Sequence, residues 1–147
     1  MAECARPVGV AAGGRRWLSA WLPVFLLEAL VLFLSSRSYL PLPKTVPYLD
    51  KAAHFAEYAL LGWLLRRAFV LTLRPGRAAA VAAVGLAAIL GAGDELFQST
   101  VPGRNSSGWD WLVDVLGATA GVAVAALWYR HRFPAASTVD DAEGTKG

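Results

Sequence analysis

The chain has 147 residues, 56% of them hydrophobic and only 17% charged, whereas an ordinary soluble domain carries roughly a quarter charged residues. With a mean hydropathy of +0.44, this excludes a typical soluble enzyme and points to one small polytopic membrane domain. The net charge of +3 does not indicate a nucleic-acid partner, because the cations stand beside apolar runs, as membrane orientation requires. A single cysteine, Cys4, excludes an internal disulfide framework.

Residues 1–16 are rich in Gly and Ala and end in Arg15 and Arg16, so a flexible cytoplasmic segment is expected. Trp17 to Leu34 then forms an apolar run long enough to span a bilayer. Its basic start resembles a signal peptide, yet no small-x-small cleavage site follows. Glu28 interrupts the run. An intramembrane carboxylate has to face other helices or be protonated.

Three prolines exclude regular helix between Ser35 and Pro47. Asp50 is expected to cap a second helix from about Lys51 to Leu65, and the apolar Ala68 to Leu73 would prolong it past Arg66 and Arg67. The turn at Arg74-Pro75-Gly76-Arg77 leads to a third helix, Ala78 to Gln98, rich in small residues that allow close packing in lipid. Pro102-Gly103 is a turn, with Gly supplying the positive φ. A fourth helix is expected from Trp109 to Tyr129, with a Gly117/Gly121 pair of the GxxxG type. His131 reads as an interface residue. Residues 133–147 form a polar, acidic tail, expected to be disordered.

The expected fold is therefore all-α: an integral membrane protein, a bundle of four transmembrane helices spanning residues 17–132. Arg6, Arg15, Arg16, Arg66, Arg67, Arg74, Arg77, Arg130 and Arg132 fall on one side, and Arg37, Lys44, Lys51 and Arg104 on the other. The positive-inside rule then makes both termini cytoplasmic. The protein is expected in the cell membrane as a multi-pass chain, with the lipid bilayer as its first partner.

At the opposite, outward-facing end, polar residues keep helical spacing. Asp50, His54 and Tyr58 lie four apart; so do Asp94 and Gln98, and Asp110 and Asp114. These share helix faces, and Lys51, Glu95, Arg104 and Ser107 lie close by in sequence. If the stripes face inward they meet as one cluster. Such a cluster serves as a pinning network of hydrogen bonds and ion pairs, as a binding site for a cell-wall precursor or lipid headgroup, or as a catalytic site. In the catalytic reading His54 is acid/base and Glu95 or Asp110 its partner. There is no HExxH pair or Cys/His spacing, so no metal is assigned, and the sequence names no cofactor. A proton-coupled transporter through Glu28 is a weaker option, since four helices make a pore only as an oligomer.

Two segments resemble a known family. Asp50 to Leu65, DKAAHFAEYALLGWLL, is similar to the first signature of the VanZ-like membrane proteins, and Asp94, Glu95, Gln98, Pro102, Gly103, Arg104, Ser107, Asp110, Asp114 and Gly117 are similar to the second. Leu34-Ser35-Ser36 and the prolines that follow fit as well. The departure is Asp114, where the family usually has Asn. The resemblance implies a small multi-helix bacterial membrane protein of unassigned activity, in a family whose namesake is associated with low-level resistance to the glycopeptide teicoplanin. A cell-envelope role agrees with an outward-facing site.

Overall fold

The computed structural model describes residues 10–37, 48–73, 76–104 and 106–132. They form four helices: α1 Val10–Ser35, α2 Leu49–Thr72, α3 Arg77–Gln98 and α4 Gly108–Arg132. No strand occurs among the described residues. Residues 1–9, the prolines of the first connection and the acidic tail lie outside them. α1 begins at Val10, ahead of the expected Trp17, because Ala and the arginines that precede the apolar run are compatible with helix. α2 passes Arg66 and Arg67 and ends only at Thr72.

The expectation of four spanning helices is corrected to three. Gly13–Ser35, Arg77–Gln98 and Gly108–Arg132 are long and apolar enough to cross a membrane. α2 is long enough, but every stretch of it that could cross contains both Glu57 and Arg66. Its position explains how such a helix is accommodated. α2 packs against all three others, and most extensively against α4. Arg66 is buried in this packing, while large apolar side chains such as Phe25, Leu26, Val81, Ile89 and Leu116 are exposed on the outer helices.

Glycines set the α2–α4 contact. A Cβ at Gly62 would overlap the backbone of Ala118, one at Gly117 that of Phe55, and one at Gly121 that of Ala59. The Gly117/Gly121 pair is therefore used as a packing groove, and the backbones approach more closely than any side chain would allow. Trp111 Nε1 ties α4 to α3 by donating to the Ala88 carbonyl at 3.0 Å. Trp21 packs edge-on to Phe69, and Arg67 Nη1 donates to the Ser19 carbonyl at 3.1 Å, joining α1 to α2.

Successive helices run antiparallel. The C-terminal ends of α1 and α3 thus meet the N-terminal ends of α2 and α4, and the polar residues gather there.

A candidate polar site at one end of the bundle

Asp50 does not cap α2. The N-cap residue is Tyr48, held at φ 61° with no side-chain cap bond, and Asp50 lies inside the first turn, where its charge complements the helix dipole. At the other end of the site Gly103 has φ 83°, and Arg104 N donates to the Val101 carbonyl at 3.1 Å. This is the turn expected from Pro102-Gly103, and it returns Arg104 toward the bundle.

Helical spacing then does the rest. His54, one turn along α2 from Asp50, places Nδ1 3.0 Å from Asp114 Oδ1 on α4. Lys51 pairs with Asp110, one turn before Asp114. These two rungs, three residues apart on α2 and four on α4, fix the register of α2 against α4. From α3, Gln98 Nε2 donates to Asp94 Oδ2 at 2.9 Å and to Ser35 Oγ on α1 at 3.1 Å. Gln98 Oε1 accepts from Arg104 Nη2 at 3.0 Å. Ser107 N donates to Glu95 Oε2 at 2.7 Å, joining the α3–α4 connection to α3.

The network is deeply buried: Asp114 is 0% exposed, Asp94 2%, Gln98 3% and Glu95 8%. It is also incompletely satisfied. Among the described residues, Asp94 Oδ1, Glu95 Oε1, Asp114 Oδ2 and the Tyr58 hydroxyl have no hydrogen-bond partner. A pinning network alone would leave few such groups, since each unmet buried acceptor costs about 1–3 kcal/mol.

Beside the network lies a cleft of about 280 Å³ between α1, α2 and the end of α3. Asp50, His54, Gln98 and Arg104, all expected as ligand residues, line it, together with Ser35, Glu57 and the apolar Leu34 and Ala53. Asp94, Asp114 and Tyr58 do not border the cleft; Lys51 is turned to Asp110. Glu95 and Ser107 border a second groove of about 270 Å³ with Trp111. Glu57 was missed because the polar stripe was followed in steps of four from Asp50; a step of three from His54 reaches it. Ser35 carried only a motif signal.

Two signatures in order, an antiparallel helical bundle and their convergence at one end agree with a family match: the VanZ/LLP1 family profile covers residues 14–129. The chain belongs to the VanZ/LLP1 family. Comparison with curated proteins and with solved structures finds no match to either. Membership in the VanZ/LLP1 family and three membrane-crossing helices together make this a membrane protein. Both family signatures contribute to the paired rungs, the first through Lys51 and His54 and the second through Asp110 and Asp114.

Proposed function

We propose that this VanZ-like protein binds a polar headgroup of the cell envelope at the outward-facing end of its bundle. The observation that carries the reading is the cleft beside the buried network. It presents one guanidinium, one imidazole and one amide, together with the Ser35 hydroxyl and the Asp50 and Glu57 carboxylates, beside an apolar wall, a composition that can orient a polar head on an apolar molecule. Arg104 is the anion-binding candidate. A guanidinium has five donors in a planar fork, and among the described residues its side chain donates to Gln98 alone. Lys51, expected to share this role, is instead engaged with Asp110. Leu34 and Ala53 supply the surface along which an acyl or isoprenoid chain would continue into the bilayer.

A second reading, an enzyme acting on such a headgroup, is favoured by the pair His54–Asp114. A buried carboxylate bonded to one ring nitrogen fixes the tautomer and orientation of an imidazole that borders the cleft. Glu95 and Asp110, the other catalytic candidates, do not border the cleft. A link to glycopeptide resistance would follow if the bound group is a cell-wall precursor.

Binding is tested with the full chain in nanodiscs, using a short-chain phosphatidic acid as the phosphate-bearing probe. Arg104→Gln removes the charge and is expected to weaken binding at least about tenfold, the equivalent of one charge-assisted bond. Equal binding by wild type and Arg104→Gln would exclude the cleft. Orientation is tested on a Cys4→Ser background with single cysteines at the exposed positions Ser106 and Ala78. An impermeant thiol reagent on intact cells is expected to label the first and not the second. The reverse pattern would place the cleft in the cytoplasm.

A further inference from the structure

The seven acids Glu28, Asp50, Glu57, Asp94, Glu95, Asp110 and Asp114 belong to this end of the bundle, against the cations Lys51, Arg104 and Arg37 and the titratable His54 among the described residues. Among the described residues only Asp110 and Asp114 of these acids have a salt-bridge partner. Excess carboxylates in a low-dielectric setting need protons or a cation.

We infer that His54, Glu95 and Asp114 bind a divalent first-row metal ion between the cleft and the neighbouring groove. The inference rests on reading this end as a ligand site, and it supplies that site with a cofactor. One ligand atom from each of the three residues lies within 4.8 Å of the other two. Around an ion with bonds of about 2.0–2.2 Å, ligand atoms on opposite sides stand roughly 4 Å apart, so a small inward movement closes the set.

The independent observation is the pair of free oxygens. Glu95 Oε1 and Asp114 Oδ2, each on a carboxylate at least nine-tenths buried, have no partner among the described residues. The other oxygen of each is already used, Glu95 Oε2 by Ser107 N and Asp114 Oδ1 by His54. A cation gives the free ones a partner without a further donor. Three elements supply the ligands, α2, α3 and α4, so the ion would also clamp the bundle. One imidazole and two carboxylates suit Mn²⁺ or Zn²⁺ better than Cu⁺, which seeks thiolates, or Ca²⁺, which seeks more oxygens. Three protein ligands leave positions open, and His54 borders the cleft while Glu95 borders the groove. A phosphate or carboxylate oxygen of a headgroup would take one of them.

The full chain, stripped with chelator in detergent, is titrated with Mn²⁺ alone, and the loss of the free-ion EPR signal is followed. Saturation at one ion per chain is expected, with Zn²⁺ displacing Mn²⁺. His54→Gln and Glu95→Gln are expected to weaken binding at least about tenfold, the loss typical of a disturbed metal shell. His131→Gln, at an exposed histidine near the other end of α4, is expected to bind as wild type. Circular dichroism of each variant separates lost binding from lost fold, and Asp114→Asn, which keeps the shape, serves if His54→Gln does not fold. No saturable uptake by folded wild-type protein, or equal uptake by wild type and all three ligand variants, would overturn the inference and leave protons as what neutralises the acids. The phosphatidic acid titration, run in chelator, reads the cleft separately: binding there without metal retains the headgroup reading when the ion fails.

Discussion

Gly121→Ala adds one methyl at the tightest point of the α2–α4 contact. The new Cβ would overlap the Ala59 carbonyl oxygen and stand 2.8 Å from the Ala59 carbonyl carbon and 3.0 Å from Trp63 N. Carbon atoms pack best at about 3.5–4.0 Å, so the two helices have to separate by at least about 0.7 Å. The obstacle is backbone, which cannot rotate away as a side chain would. Overpacking of this kind costs about 1–3 kcal/mol, and the upper part of that range is expected. A rigid separation of that size also lengthens the 3.0 Å His54–Asp114 contact beyond the usual hydrogen-bond limit of about 3.2 Å. Gly85→Ala is the internal control. It sits on α3 with nothing within 4 Å of its Cβ, and replacing a helical Gly by Ala gains up to about 1 kcal/mol. Thermal unfolding of both variants in the same detergent, followed by circular dichroism, should move the midpoint in opposite directions. Equal midpoints would refute the account of Gly117 and Gly121 as a packing groove.

Gln98→Ala removes the side chain that ties Asp94, Ser35 and Arg104 together; a loss of about 1–3 kcal/mol and faster proteolysis in the α3–α4 connection are expected, and unchanged cleavage would show that Arg104 does not depend on it. Lys51→Met breaks the pair with Asp110, but the Lys51 side chain is 34% exposed, so about 1 kcal/mol or less is expected in the same unfolding assay. Asp114→Asn keeps an oxygen for His54 and removes a buried charge; stability within about 1 kcal/mol of wild type, or above it, is expected, and a large loss would mean that the charge itself holds α2 to α4. Glu95→Ala removes the acceptor of Ser107 N and should speed hydrogen exchange at that amide, whereas Glu95→Gln should leave it protected.

The helices were legible because their signals are local. Apolar runs, the Pro102-Gly103 turn and polar residues at spacings of four each act within a few residues of chain. The convergence of Asp94, Asp110, Asp114 and His54 was legible for the same reason, since an antiparallel bundle brings alternate helix ends together. What depends on how one helix is rotated against another was not. Lys51 and Arg104 look equivalent as cations, yet one is turned to Asp110 and the other to the cleft. The cap assigned to Asp50 failed because Tyr48, in the left-handed region, is the N-cap and the helix starts two residues earlier, at Leu49. A composition-based reading of α2 as a membrane span ignores that Glu57 and Arg66 need neighbours; their tolerance comes from packing against three other helices.

The two features of the α2–α4 pair belong together physically. A buried polar network with unmatched oxygens lowers stability, and among hydrophobic neighbours it would tend to open. Here the same two helices that carry His54 and Asp114 are held at backbone contact along Gly62, Gly117 and Gly121. Close packing of small residues is a dispersion-driven association that needs no water, so it persists where the polar end is wet or dry. The glycine groove thus lets α2 and α4 present acids at a fixed separation without relying on those acids for cohesion. A network that served only to hold the helices would have its oxygens paired and would not need the groove. One that must leave oxygens free for a ligand does need it, and this favours a ligand at His54, Glu95 and Asp114 over a purely structural role.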